Sequence, residues 1–248
     1  MQTIYASSSN GIIELELPEP EDEILSGVPW GRFDIFFTPA FWACQVWLNE
    51  AENMYKGYHL GENLMEEVAA CLLGGHGIPA EVGIAAFRRL KERKLLDQYP
   101  SAQEIEAALS EPLVVNGRSV RYRFARQKAR YLAEALHRLS VETPPTSSGK
   151  AFRAFLLDLP GIGPKTASWI TRNWLDSDEV AILDIHIVRA AIAAGVFPTR
   201  VNLAQSYFIL EDRFLKFAKA LRCRPAVLDN FIWHQMRRIG RLPCIQTC

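Results

Sequence analysis

No apolar run in these 248 residues approaches the length of a membrane span, and no basic N-terminal stretch joins an apolar core as in a secretion signal. A soluble, cytoplasmic protein with no membrane contact is therefore expected. Cysteine is sparse and odd in number: Cys44, Cys71, Cys223, Cys244 and Cys248. Only the last three lie in the C-terminal part, at a spacing that does not suit a four-thiolate iron–sulfur cluster. The odd count reads as reduced thiols rather than a disulfide framework. Five histidines are scattered without the paired spacing of a zinc site. No metal and no cofactor is expected. Repeats and low-complexity tracts are absent, and there is no net charge, with 28 basic residues against 28 acidic ones.

That balance hides an uneven distribution. Before Arg32 the chain carries six acids (Glu14, Glu16, Glu19, Glu21, Asp22, Glu23) and no base, leaving 28 bases against 22 acids in the remainder. Arg118, Arg121, Arg123, Arg126, Lys128 and Arg130 form a basic block. A charge run alone is usually a solvated face. This one leads towards a motif that gives it a use.

The motif is Leu159-Pro160-Gly161-Ile162-Gly163-Pro164-Lys165-Thr166-Ala167, with Asp184 nineteen residues after the lysine. Gly161 and Gly163 permit positive φ and a close backbone approach. Pro164 suits the first position of a helix. The helix start then presents amide N–H groups and a positive dipole end to an anion such as a DNA phosphate. A phosphate clamp without chemistry fits this turn as well as an enzyme does. Lys165 favours the enzyme: an amine at a helix start, partly buried, has its charged form disfavoured and can attack C1′ of a deoxyribose to form a Schiff base. A plain phosphate contact is its other reading. Asp184 ends the apolar run Val180-Ala181-Ile182-Leu183 and precedes a helical pattern, which places it as an N-cap. An ionised carboxylate there could also stabilise positive charge on a sugar as its base departs.

Periodicity near 3.6 or helical composition predicts ten helices, over Phe41–Glu52, Asn63–Leu73, Pro79–Glu92, Ala102–Leu109, Tyr122–Leu139, Gly149–Leu157, Lys165–Trp174, Ile185–Ala194, Leu203–Phe217 and Pro225–Arg238. The breaks fall at glycine and proline clusters. An all-α protein follows. The Gly74-Gly75-His76-Gly77-Ile78-Pro79 stretch is read as an interhelical turn or a bend near the site.

Leu159–Ala167 with Asp184-Ile185-His186, together with Arg126-Gln127-Lys128-Ala129-Arg130-Tyr131-Leu132, resembles the helix-hairpin-helix (HhH-GPD) DNA glycosylase superfamily over about residues 120–192. The resemblance is nearest to the archaeal-type 8-oxoguanine glycosylases. One departure is that Ile182-Leu183 stands where many members have Gly-Pro before the catalytic aspartate. The resemblance implies a two-lobed helical fold with the active site in the interlobe cleft, and a bifunctional enzyme, glycosylase and β-lyase, acting as a monomer on DNA containing oxidised guanine. Its domains would be an N-terminal arm over 1–35 with room for a short strand, a lobe of 36–74 and 196–248, and a central lobe of 75–195.

By the same resemblance Lys165 and Asp184 are catalytic. Trp169 and Trp233 would sandwich the extruded purine, Asp229 would accept from its N1–H and exocyclic amine, and Gln45 would touch a base edge. Gly161, Gly163, Arg126 and Lys128 would hold phosphates, Val115 or Asn116 would fill the gap in the duplex, and carbonyls of Leu157, Leu159 and Ile162 could bind a monovalent ion. Core packing for either tryptophan and helix capping for Asp229 are the structural alternatives. The rival functions are the same chemistry on another damaged or modified base, and a noncatalytic DNA-binding module.

Overall fold

A computed structural model describes residues 1–8, 11–51, 59–75, 77–97 and 99–239; His76, Cys244 and Cys248 lie outside them. In chain order the elements are β1 (Gln2–Ser8), β2 (Gly11–Leu17), β3 (Glu23–Leu25), β4 (Val28–Pro29), α1 (Pro39–Ala51), α2 (Leu64–Leu73), α3 (Ala80–Glu92), α4 (Ala102–Ser110), β5 (Leu113–Val115), β6 (Arg118–Val120), α5 (Ala125–Val141), α6 (Gly149–Leu157), α7 (Pro164–Leu175), α8 (Ile185–Ala193), α9 (Leu203–Ala220) and α10 (Pro225–Ile239). All ten expected helices are present, and the fold is helical.

Local chemistry sets several helix starts. Ser101 and Glu104 form a reciprocal capping box on α4, Asn63 caps α2, and Ser148 caps α6. The start of α5 differs most from expectation. It begins at Ala125 rather than Tyr122, because Phe124 takes a left-handed conformation (φ 67) just before it. Three antiparallel hairpins, β1–β2, β3–β4 and β5–β6, add to the expected helices. The β5–β6 turn, Asn116-Gly117 with φ of 50 and 74, is the type I′ geometry that this dipeptide favours. Asn-Gly between Leu113-Val114-Val115 and Arg118-Ser119-Val120 is a hairpin signal that the all-helical reading left out.

The chain divides into two compact units, Met1–Gly57 with Asp178–Cys248, and Tyr58–Ser177. These limits differ from the expected ones at 74/75 and 195/196. The reason is packing: α2 buries Val68, Ala69, Leu72 and Leu73 with residues of α3, α5 and α7, whereas α8 buries Ile187, Val188 and Ala191 beside α10. The unit of residues 58–177 is built around Leu90, Ile105, Leu132, Leu136, Phe152, Leu156 and Ile170. The other centres on Trp42, Leu183, Phe214, Phe217 and Leu228. There β1–β2 lays Ile4 and Leu17 on Ala40, Ala43 and Cys44 of α1, so the segment expected as an arm is anchored. Among the described residues no helix is long and apolar enough to cross a membrane.

One carboxylate ties the unit of residues 58–177 together internally. Glu67, on α2, has no solvent exposure. It accepts from Asn173 Nδ2 of α7 at 2.7 Å, and from the backbone N–H groups of Leu60 and Gly61 at 2.6 and 2.9 Å. Asn173 Oδ1 in turn accepts from Arg172 Nε at 3.2 Å. Removing the acceptor strands one buried donor, Asn173 Nδ2, at about 1–3 kcal/mol if left unpaired, and loosens two amides that solvent can partly reach. Glu67→Ala is therefore expected to lose about 2 kcal/mol or more of stability, read from the urea midpoint at unchanged m-value. A loss below about 1 kcal/mol would contradict this account of the buried network.

Candidate functional site

The turn between α6 and α7 is wound tightly: Leu159 N–H donates to Leu156 O at 3.1 Å and Ile162 N–H to Leu159 O at 3.3 Å. Of the three carbonyls expected to hold a monovalent ion, that of Leu159 thus already accepts a turn bond. Gly161 is exposed with φ 76, and a Cβ there would overlap the ring of Tyr131 on α5. Glycine is required at this point both by backbone and by space. Gly163 departs from expectation. Its φ is −91 and nothing lies within 4 Å of where its Cβ would stand. It serves instead as the N-cap of α7, ahead of Pro164 at the first helical position, with no side-chain cap. A helix start of this kind leaves orphan amides for an anion.

The basic block splits in two. Arg126 is exposed and, with Phe124, Gln127, Arg130 and Tyr131, lines a shallow cavity of about 490 Å³. Tyr131 is the wall shared with Gly161, so this cationic surface runs up to the hairpin. Lys128, expected on the same surface, is half-buried and turned inward. Its Nζ donates to Leu72 O at 2.6 Å and to Gly74 O at 3.4 Å, and burial pushes its pKa down.

Lys165 occupies the second position of α7 and is half-buried. It makes no hydrogen bond or ion pair among the described residues. Trp169, one turn later, is half-buried; a Cβ on Gly74 would lie 3.6 Å from its Cζ3.

In the other unit, Asp184 caps α8 as expected. One oxygen, Oδ1, accepts from His186 N–H at 2.8 Å and Ile187 N–H at 3.0 Å, and no partner for Oδ2 is found among the described residues. The preceding apolar run forms neither strand nor helix, and side chains satisfy its backbone. Glu211 accepts from Ala181 N–H at 2.9 Å, the Tyr207 hydroxyl bridges Ala181 O and Leu183 N–H at 2.9 and 3.2 Å, and Asp229 Oδ2 accepts from Ile182 N–H at 3.1 Å.

Asp229 is 2% exposed, so the carboxylate expected to read a base braces the segment that ends at Asp184. It lies inside α10 and does not cap it. Trp233 stands edge-on to His186 at 6.3 Å, and the Arg237 guanidinium covers its ring at 4.8 Å. Gln45 is half-buried on α1. Sequence reasoning missed Tyr131, Tyr207 and Glu211. Each acts on backbone 24 to 30 residues away, which no local pattern reports.

Comparison with known proteins identifies the family. A family model described as 8-oxoguanine DNA glycosylase matches residues 48–223. A curated 8-oxoguanine DNA glycosylase/AP lyase of Thermoplasma volcanium is 26% identical over 175 residues, 69% of this chain and 78% of that protein. The crystal structure of the Methanocaldococcus jannaschii 8-oxoguanine DNA glycosylase is similar with a TM-score of 0.55 at 26% identity, over 72% of this chain and 79% of that one. Its complex with a 15-mer DNA containing 8-oxoguanine gives 0.53 at 26% identity, over 72% and 81% of the two chains. The 8-oxoguanine DNA glycosylase of Thermotoga maritima shares the fold, with a TM-score of 0.53 at 24% identity over 70% and 79%.

The two hairpin glycines should respond differently to a single methyl group. Gly161→Ala incurs left-handed strain and displaces Tyr131, with an expected loss of about 2 kcal/mol or more in stability. Gly163→Ala, at an ordinary φ beside open space, should lose about 1 kcal/mol or less, the difference between glycine and alanine at an N-cap. Thermal or urea unfolding checks both, and equal effects would contradict the geometry.

Proposed function

Because the chain belongs to the 8-oxoguanine DNA glycosylase family, we propose that it is a DNA glycosylase with AP lyase activity that removes 8-oxoguanine through an imine formed at Lys165. The observation that carries the reading is a contrast between lysines. Lys128, in the basic block, spends its ammonium on backbone carbonyls, whereas Lys165, at the uncapped start of α7, makes no hydrogen bond or ion pair among the described residues. A nucleophile must be available to substrate in this way.

The sequence of events is as follows. The α7 start, with Gly161 and Gly163, and the exposed Arg126 grip the backbone, and the damaged nucleotide leaves the stack. Trp169 and Trp233 offer aromatic surface to the purine and Gln45 a polar group for its edge, while Asp229 braces the segment that carries Asp184. The C1′–N9 bond breaks, the departing base carrying the electron pair, and Asp184 stabilises the positive charge left on the sugar. Lys165 Nζ bonds to C1′. Ring opening gives the imine, and loss of a proton from C2′ expels the 3′ phosphate by β-elimination. Asp184 suits its part because capping uses only Oδ1.

A base-release assay over a panel of oxidised and alkylated bases tests this. Release of 8-oxoguanine well ahead of the other lesions is expected, with strand cleavage alongside. Lys165→Gln should bind lesion DNA yet neither release base nor cut. Tight DNA binding without release of any base would instead identify a noncatalytic clamp, and cleavage retained by Lys165→Gln would move the nucleophile elsewhere.

A further inference from the structure

The C-terminal end of α2 is closed in an unusual way. A helix end leaves its last carbonyls without intrahelical partners, and a left-handed residue commonly folds the backbone back to satisfy them. Here the C-cap, Gly74, is extended (φ −84, ψ −161), so no such backbone closure occurs. Side chains from the β6–α5 connection and from α5 take its place. The buried Tyr122 hydroxyl donates to Leu73 O at 2.6 Å, and Lys128 Nζ donates to Leu72 O at 2.6 Å and to Gly74 O at 3.4 Å. Burial raises the Tyr122 hydroxyl's pKa and lowers that of the Lys128 ammonium, as expected of groups enclosed by protein. The ammonium also complements the negative end of the α2 dipole.

What these bonds hold is a bare backbone shelf. Gly83 of α3 abuts it: a Cβ there would lie 3.2 Å from Gly74 Cα and 3.3 Å from Leu73 O. The other side of the shelf faces Trp169, whose Cζ3 and Cη2 would lie 3.6 and 3.7 Å from a Cβ on Gly74. The indole therefore rests on main chain whose position is fixed by two side chains that do not touch the indole's own helix by any of these bonds.

We propose that Lys128 and Tyr122 are positioning residues for base recognition: by holding the Leu72–Gly74 carbonyls they fix the shelf that sets the plane of Trp169. The proposal rests on the reading of Trp169 as a stacking surface for the extruded base. It also removes Lys128 from the DNA-phosphate contacts.

Two substrates separate this role from the alternatives. Removing 8-oxoguanine requires the base to be stacked, whereas cutting at a preformed abasic site does not. Lys128→Met keeps the aliphatic stem and deletes the donor, and Tyr122→Phe deletes one hydroxyl with almost no change in volume. Each is expected to slow single-turnover release of 8-oxoguanine about tenfold, the scale of one lost buried hydrogen bond. Cleavage of the preformed abasic site should stay within about twofold of the parent, and the salt dependence of DNA binding should be unchanged.

Unaltered base release in both variants overturns the proposal. So does an equal loss on both substrates, which marks general destabilisation. A shallower salt dependence in Lys128→Met, by close to one unit of slope, would return the lysine to a phosphate. Trp169→Ala is run in parallel. If it leaves base release intact, the stacking reading itself fails; if it abolishes release while Lys128→Met and Tyr122→Phe do not, only the positioning role fails.

Discussion

Between Val180 and Leu183 the main chain runs through apolar surroundings with no strand or helix to pair its N–H and C=O groups, and Tyr207, Glu211 and Asp229 supply the partners instead. Buried backbone groups left unpaired would cost about 1–3 kcal/mol each, so these polar side chains are drawn inside a hydrophobic unit. The same constraint recurs elsewhere. Glu67 serves the amides of Leu60 and Gly61, Tyr122 and Lys128 serve the end of α2, and Asp184 serves the first turn of α8. Much of the buried polar chemistry of this protein is backbone accounting.

That accounting gives the candidate reactive groups their meaning. A side chain that has settled a backbone debt is rigid and unavailable, whereas one with unspent capacity can meet a substrate. Asp184 does both, with Oδ1 committed to two amides and Oδ2 left over among the described residues. Its carboxylate is thus oriented by the helix it caps, and the cap in turn is reached through a segment braced by three side chains. Lys165 is placed by a different device. Proline fixes the first turn of α7, and glycine at position 161 lets Tyr131 press against the preceding turn. Preorganisation of this sort is what allows a group to act without first being ordered.

The helices were legible because amphipathic periodicity, capping residues and glycine or proline breaks act locally. The placement of Lys165 at a helix start and of Asp184 at an N-cap was legible because a Gly-x-Gly-Pro-Lys turn and an aspartate ending an apolar run have few structural solutions. The hairpin at Asn116-Gly117 was equally legible, yet this stretch between two expected helices was read only as the place of a wedge residue. Lys128 and Asp229 were not legible in the same way. Both have the residue type that DNA recognition calls for, but what claims Lys128 is a carbonyl 54 to 56 residues away, and what claims Asp229 is an amide 47 residues away. Gly163 shows the converse: its identity suggested a strained backbone, while the structure gives it an ordinary φ beside open space. Tertiary demand on polar groups is set by which backbone goes unpaired, and sequence pattern does not carry that information.

At the centre of the account is the lysine at the start of α7 as the atom that bonds to the sugar. Borohydride reduction during turnover on 8-oxoguanine DNA, followed by proteolysis and mass spectrometry of the crosslinked peptide, locates that bond. The account predicts a reduced sugar remnant on Lys165. A remnant on any other lysine or on the N-terminal amine, or no crosslink while base and strand are both cleaved, would contradict it.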